Sequence, residues 1–278
     1  MIFKDTMASM TWKEIEAEAE NDAIVLFPVG VIEEHGPHLT LAIDSLCSYL
    51  LCKHIKKELE KKQIASLISP PYYWGINNAT AAFPGSFTIR KETFRNIIVD
   101  LLHCLHRWGF NNIFLINWHG DREHIFTLVD AISEARINFG VRCYILLTEY
   151  EIKRLKISCP QPLLIEVKYD PPIGDDVDIH AGSDEVSVIL NYFPEHVNDE
   201  LASQLEPTNL TKDDLKIWNK GWTDTRKLIP EGYFGNPSKF SREKGKKIIE
   251  EISIKYAKQI FMFLKENQLL IKKNDFKN

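Results

Sequence analysis

The stretch Val25-Leu26-Phe27-Pro28-Val29-Gly30-Val31-Ile32-Glu33-Glu34-His35-Gly36-Pro37-His38, closed by Asp44, decides how the rest of the chain is read. It opens as a short apolar run without alternation, the pattern of a strand buried on both faces. Within a few residues it turns into carboxylates and imidazoles interleaved with glycine and proline. Those are the donors a divalent transition metal takes, and Asp44 can use both oxygens to bridge two ions.

Apolar and amphipathic stretches alternate outward from it. Thr11 is a natural N-cap for a helix over Trp12–Glu20. Strands are expected over 23–29, 64–68, 112–116 and 141–147. Helices are expected over 45–62, 92–108, 122–138, 181–190 and 241–264, with Gly109 as a C-terminal cap. Strand–helix–strand order with short connections implies parallel pairing. The expected fold is therefore α/β, a three-layer α/β/α sandwich with a mainly parallel central sheet. One domain spans 1–270 and a frayed lysine- and asparagine-rich tail follows over 271–278. Between Glu149 and Asp178 the pattern weakens and prolines cluster, which reads as loop or lid material.

Composition narrows the class. With 278 residues and 44% hydrophobic content, the chain can bury a large core. A net charge of −5 with mixed signs argues against a nucleic-acid footprint. No run approaches a membrane span, and residues 6–10 are too polar and short for a signal-peptide core. Five cysteines without a CxxC pair read as reduced thiols of a cytoplasmic protein, with no metal role.

Ligands of open parallel sheets bind beyond the strands' carboxyl ends, and there the polar groups gather. The first strand runs into Glu33, His35 and Asp44, and the second leads to Asn77-Asn78. The third ends in Asn117-Trp118-His119-Gly120-Asp121. Glu33 and His35, one residue apart in an extended loop, point the same way. Asp44 precedes a helix whose amides would hold it, and His119 arrives from a neighbouring strand. Four such ligands suit two divalent ions bridged by Asp44, with a water or hydroxide between them. Glu34 reads as solvated, His38 as structural, and Asp121 as an N-cap or a ligand. His54, His103, His106 and His196 carry no role. His180 and Glu185, in His180-Ala181-Gly182-Ser183-Asp184-Glu185, suit an acid/base pair or a late metal ligand, although a plain helix N-terminus would look similar.

Together these segments resemble the creatininase (creatinine amidohydrolase) family. Residues 28–44 follow its PxGxxEQHGPHLPLxxD motif, with Glu34 where the family has Gln. Phe83-Pro84-Gly85-Ser86 is similar to its FPGT segment, and Asn117-Trp118-His119-Gly120 to its NGHG segment. His180-Ala181-Gly182 with Glu185 is similar to HAGxxE, and Gly232–Pro237 with Glu243-Lys244-Gly245 to the C-terminal GxxGDP…EKG stretch. The resemblance implies a two-metal amidohydrolase, Zn first with Mn or Fe also suited, assembled as a homo-oligomer, usually a hexamer. Glu33 and His119 would hold one metal and His35 the other, with Asp44 bridging and either Asp121 or Glu185 completing the second. His180 would pass a proton to the leaving nitrogen.

The departures concern the substrate. Creatininase carries a Tyr where this chain has Gly120 and a flap Trp where it has Asp176. The creatininase serine that contacts substrate is replaced near Asn77. The hydrolytic core is thus separated from creatinine as substrate. The expected activity is hydrolysis of a C–N amide bond in a small polar cyclic amide or formamide by metal-bound hydroxide. The alternatives are C–C ring opening of a cyclic polyol ketone, cofactor-maturation peptidase activity on the same site, or a scaffold with structural metals.

Overall fold

The computed structural model describes residues 4–157, 162–169 and 177–269, so the 271–278 tail and the positions Asp175 and Asp176 lie outside the described residues. Five parallel strands form one sheet in the order β2-β1-β3-β4-β5, with β1 at Ile24–Val29, β2 at Ser66–Ile68, β3 at Ile113–Asn117, β4 at Cys143–Thr148 and β5 at Leu164–Val167. The helices are α1 (Trp12–Glu20), α2 (Ile43–Glu60), α3 (Lys91–Arg107), α4 (Arg122–Phe139), α5 (Glu149–Leu155), α6 (Ser183–Tyr192), α7 (Asp199–Gln204), α8 (Leu215–Trp218), α9 (Trp222–Leu228) and α10 (Arg242–Glu266).

Both sheet faces are covered, which is why the strands read as continuous apolar runs. Val25, Phe27, Leu115 and Ile145 meet Phe94, Ile98 and Leu102 of α3 and Leu128 and Ile132 of α4. Leu26, Phe114, Ile116 and Leu146 meet Leu51 and Ile55 of α2 and Tyr256 and Ile260 of α10. A third apolar cluster joins the first turns of α2 to α6 and α10 through Ile43, Cys47, Val186, Ile189 and Ile249. Each fully buried side chain of this size contributes roughly 1.5–3 kcal/mol relative to exposure, so the three layers hold as a unit.

Two elements depart from the expectation of a loop after Glu149. Helix α5 starts directly at the end of β4, closed by a capping box between Thr148 and Glu151. Strand β5 then pairs with β4 from Ile145↔Leu164 to Thr148↔Val167. Helix α2 also begins earlier than its apolar spacing implies. Asp44 is its second residue rather than a group ahead of it. Of the cysteines, Cys47, Cys52, Cys104 and Cys143 are free thiols, and Cys159 lies outside the described residues. Among the described residues no helix is long and apolar enough to cross a membrane.

The strand order positions the site. From β1 the chain moves to β2 on one side and later to β3 on the other, so the crevice between the ends of β1 and β3 is the topological switch point. Glu33 and His35 follow β1, and His119 follows β3. Gly30 lets the two layers meet there. A Cβ at Gly30 would lie 2.7 Å from the Asp44 carbonyl carbon and from the Ser45 nitrogen, so any side chain would push α2 off the strand end.

Candidate metal centre

Five side chains converge at the switch point. His119 Nδ1 lies 3.0 Å from Glu33 Oε2 and 3.2 Å from Asp44 Oδ2. The other Asp44 oxygen, Oδ1, lies 3.9 Å from His35 Nε2, which is also 3.9 Å from Glu185 Oε2. Glu33, Asp44 and His119 form one group able to hold an ion, and His35, Asp44 and Glu185 a second. Asp44 belongs to both, one oxygen facing each. Glu33, His35 and His180 make a third.

The far atoms of these side chains are fixed. His119 Nε2 lies 3.0 Å from the Ile76 carbonyl and His35 Nδ1 lies 3.0 Å from the Glu33 carbonyl. A carbonyl only accepts, so both of these nitrogens carry a proton, and the other nitrogen of each ring faces inward. Thr80 donates its hydroxyl to Glu33 Oε1 at 2.6 Å. Glu185 accepts from the Ala181 amide at 2.7 Å and the Trp118 indole at 3.3 Å. What remains is a set of buried inner atoms, Glu33 Oε2, His35 Nε2 and Asp44 Oδ2, with no partner beyond one another and the facing His119 Nδ1.

The electrostatics match a site built to be filled by positive charge. Burial pushes the Glu33 carboxyl up, yet His119, His180 and His35 outweigh it and hold the group well below the usual carboxylate range. Burial works against a charged His119, but Glu33 and Asp44 raise it well above the usual imidazole value. His180 is likewise opposed by burial and then pushed up to about 10 by Glu33, Glu34 and Glu185.

Asp121 does not join either group. It is the N-cap of α4, with Oδ1 accepting from the Glu123 and His124 amides at 2.8 and 3.1 Å and Oδ2 from the Asn78 amide at 2.9 Å. Its oxygens are committed to backbone donors, whereas Glu185 reaches His35 from the opposite side. Glu34 also departs from its solvated reading. It is buried, accepts from the Gly36 amide at 2.9 Å, and sets Oε1 3.4 Å from His180 Nε2. His180 itself stacks on His35, with ring centroids 4.3 Å apart. His38 is structural as expected. Its Nε2–H donates to the Ala181 carbonyl at 2.9 Å, and burial, with His35 and His180 adding, pushes it down to about 4, so it is neutral. Asn77 is fully buried, its amide donating to the Ile32 and Phe87 carbonyls, and Asn78 lines the cleft instead.

Sequence reasoning missed Thr80, His124 and Trp218. His124 accepts from the Ile76 amide at 3.3 Å while His119 donates to the carbonyl of the same residue, so two imidazoles clamp Ile76. Helical spacing marks His124 only as a core position, and nothing local marks the other two.

The family model for creatininase (creatinine amidohydrolase) matches residues 8–260. The chain belongs to the creatininase family. It is thus a hydrolase, related to enzymes of several specificities. It is 25% identical over 253 residues to a creatinine amidohydrolase of Pseudomonas putida, covering 88% of this chain and 91% of the relative. It is 24% identical to a 3-dehydro-scyllo-inosose hydrolase of Thermotoga maritima, covering 88% and 78%. It is 26% identical to a mycofactocin precursor peptide peptidase of Mycolicibacterium smegmatis, covering 64% and 62%. Among solved structures, a tryptophan-to-phenylalanine variant of creatininase superposes with a TM-score of 0.68 at 23% identity, covering 95% of this chain and 99% of the other. A manganese form of creatininase and a variant in a Zn–Zn form each superpose at 0.66 with 22% identity, covering 95% and 94% of this chain and 98% and 97% of theirs.

Proposed function

We propose that this creatininase-family enzyme is a two-metal amidohydrolase that cleaves a C–N bond in a small polar substrate. The observation that carries the reading is the set of buried donor atoms, Glu33 Oε2, His35 Nε2 and Asp44 Oδ2, that face one another and His119 Nδ1 and have no other partner. Leaving such atoms unpaired is costly, and an ion is what their chemistry suits. Glu33 and His119 would hold one divalent ion and His35 and Glu185 the other, with Asp44 shared. Zinc and manganese both suit these donors, in keeping with the metal forms of the creatininase neighbours. When bound, such a pair polarises a carbonyl and lowers the pKa of a water at neutral pH.

The chain's own residues do the rest. The Glu33 and Ile76 carbonyls anchor His35 and His119 so that Nε2 of the first and Nδ1 of the second face the centre. Trp118 and the Ala181 amide fix the Glu185 carboxylate against His35. His180, ringed by Glu33, Glu34 and Glu185, keeps a proton for the leaving nitrogen. The carbonyl carbon gains the oxygen of water and the nitrogen departs with the proton, which closes the balance. The site opens into a cleft of about 1150 Å³, ample for a small molecule.

A second reading keeps the centre and changes the bond. The Thermotoga and mycobacterial relatives are named for an inosose and a peptide, which favours C–C hydrolysis of a cyclic polyol ketone or peptide cleavage as the competitors. The zinc- or manganese-loaded protein should be offered cyclic amides, formamides, inosose-like ketones and short peptides, with products followed by mass spectrometry. Turnover of amides that vanishes on chelation and in Glu33→Gln and His119→Ala, with the circular dichroism unchanged, is the expected result. Turnover of ketones or peptides alone, or turnover surviving complete metal removal, refutes it.

A further inference from the structure

One aromatic residue lining the cleft has no part in holding metal or moving a proton. It is Trp218, the last residue of α8, which shares the lining with Trp118, His119, His180 and Glu185. Its ring lies 5.4 Å from that of His180 and meets Phe234 edge-on at 5.9 Å. The indole is only half-buried, while Phe234 behind it is fully buried. A ring serving the core alone would be covered; this one leaves surface to the cleft.

Its placement is over-determined by a strap. The Trp218 carbonyl accepts from the hydroxyl of fully buried Thr225 at 3.0 Å and from the Gly221 amide at 3.1 Å. The strap is pinned across the cleft to the turn after β2. The Trp222 amide donates to the Asn78 carbonyl at 2.9 Å, and Arg226 donates to the Ala82 carbonyl at 2.6 Å while lying over the Phe83 ring. Asn78 in turn donates to Asp121, the cap of α4. The chain of bonds runs from the helix after β3 to the Trp218 backbone, and the His180 and Phe234 rings flank its indole beside the site.

We propose that Trp218 is a specificity-determining residue whose indole face stacks against a flat amide ring, selecting planar over puckered substrates. The proposal rests on the hydrolase reading of the cleft and refines its substrate class. A planar π system gains offset stacking on an indole beyond its buried area, on the order of tenfold in affinity, whereas a saturated ring of the same size gains only contact area.

The test uses a matched pair of six-membered lactams, planar 2-pyridone and puckered 2-piperidone, with binding to the zinc-loaded full chain measured by titration. The wild type should prefer 2-pyridone. Trp218→Leu, which keeps apolar bulk without the face, should weaken 2-pyridone about tenfold and leave 2-piperidone within about twofold. Trp218→Phe should keep most of the preference. The Trp218 indole N–H signal, assigned by its loss in Trp218→Phe, should shift when 2-pyridone is added, a readout that needs no Leu variant to fold. No preference in the wild type, equal weakening of both lactams, or an unmoved indole signal overturns the proposal. Because binding is read without turnover, failure of the hydrolase reading would show separately, as zinc-loaded protein that binds 2-pyridone but hydrolyses no amide.

Discussion

Asp121 and Glu185 carry the same charge and stand near the same centre, but their neighbours give them different tasks. The oxygens of Asp121 accept from three amides; Asn keeps one acceptor for the two cap amides of α4 and gives up only the contact with the Asn78 amide. Asp121→Asn should therefore retain both metals, and Asp121→Ala should cost about 1 kcal/mol of stability without changing metal content. On the two-metal proposal, Glu185→Gln removes the carboxylate facing His35 and should leave one tightly held ion where two are expected of the wild type, measured by elemental analysis after dialysis. Loss of metal from Asp121→Asn with full occupancy in Glu185→Gln would reverse the assignment. At this scale the sequence was legible in which residues come together, since Glu33, His35, Asp44 and His119 do converge in the fold. It was opaque where burial decides. Glu34 sits between Glu33 and His35 and looks like a solvent-facing charge, and only the fold reveals that it lies against His180.

Helix α6 carries Glu185 on its first turn, and its N-terminus is capped from outside by Asp178, which accepts the Ser183 hydroxyl at 2.8 Å and the Asp184 amide at 3.3 Å. Gly182 makes this approach available, since a Cβ there would fall 1.9 Å from Asp178 Oδ1. Burial first, then Asp184 and Glu185, pushes the Asp178 carboxyl up to about 7. The folded protein thus holds this proton more tightly than the unfolded chain, whose ordinary value is 3.8. The sign follows by linkage: its contribution to stability is full below pH 3.8 and is lost as pH rises to about 7. Asp178→Asn, neutral throughout and still an acceptor, should flatten the fall of the melting temperature over that window and match or exceed the wild type above it. Parallel melting curves in the two proteins would remove Asp178 as the source. The elements themselves were mostly legible, because long helices such as α3 and α10 repeat their apolar positions many times. Helix α5 and strand β5 were not. A seven-residue helix and a four-residue strand offer too few repeats to establish a period.

At the scale of the whole molecule, the centre joins parts of the chain far apart in sequence: the loop after β1, the first turn of α2, the end of β3 and the start of α6. The order β2-β1-β3-β4-β5 puts β1 and β3 side by side, which is what brings His119 to Glu33. Metal uptake should therefore stabilise the fold globally, by about 2.7 kcal/mol when free metal is at a hundred times its Kd. It should also release protons. Without metal, Glu33 and Asp44 keep His119 charged well above the usual imidazole range, and a ligand nitrogen must give up that proton to bind. Lowering the pH favours the proton over the ion, so apparent affinity should fall as pH falls, and chelation should lower the melting temperature more at pH 8 than at pH 6. Calorimetric titration of zinc in buffers of different ionisation enthalpy counts the protons directly, and at pH 7.5 about one or more per protein is expected. Uptake with no proton released would mean either that His119 is already neutral between its two carboxylates or that it keeps its proton and takes no part in holding the ion.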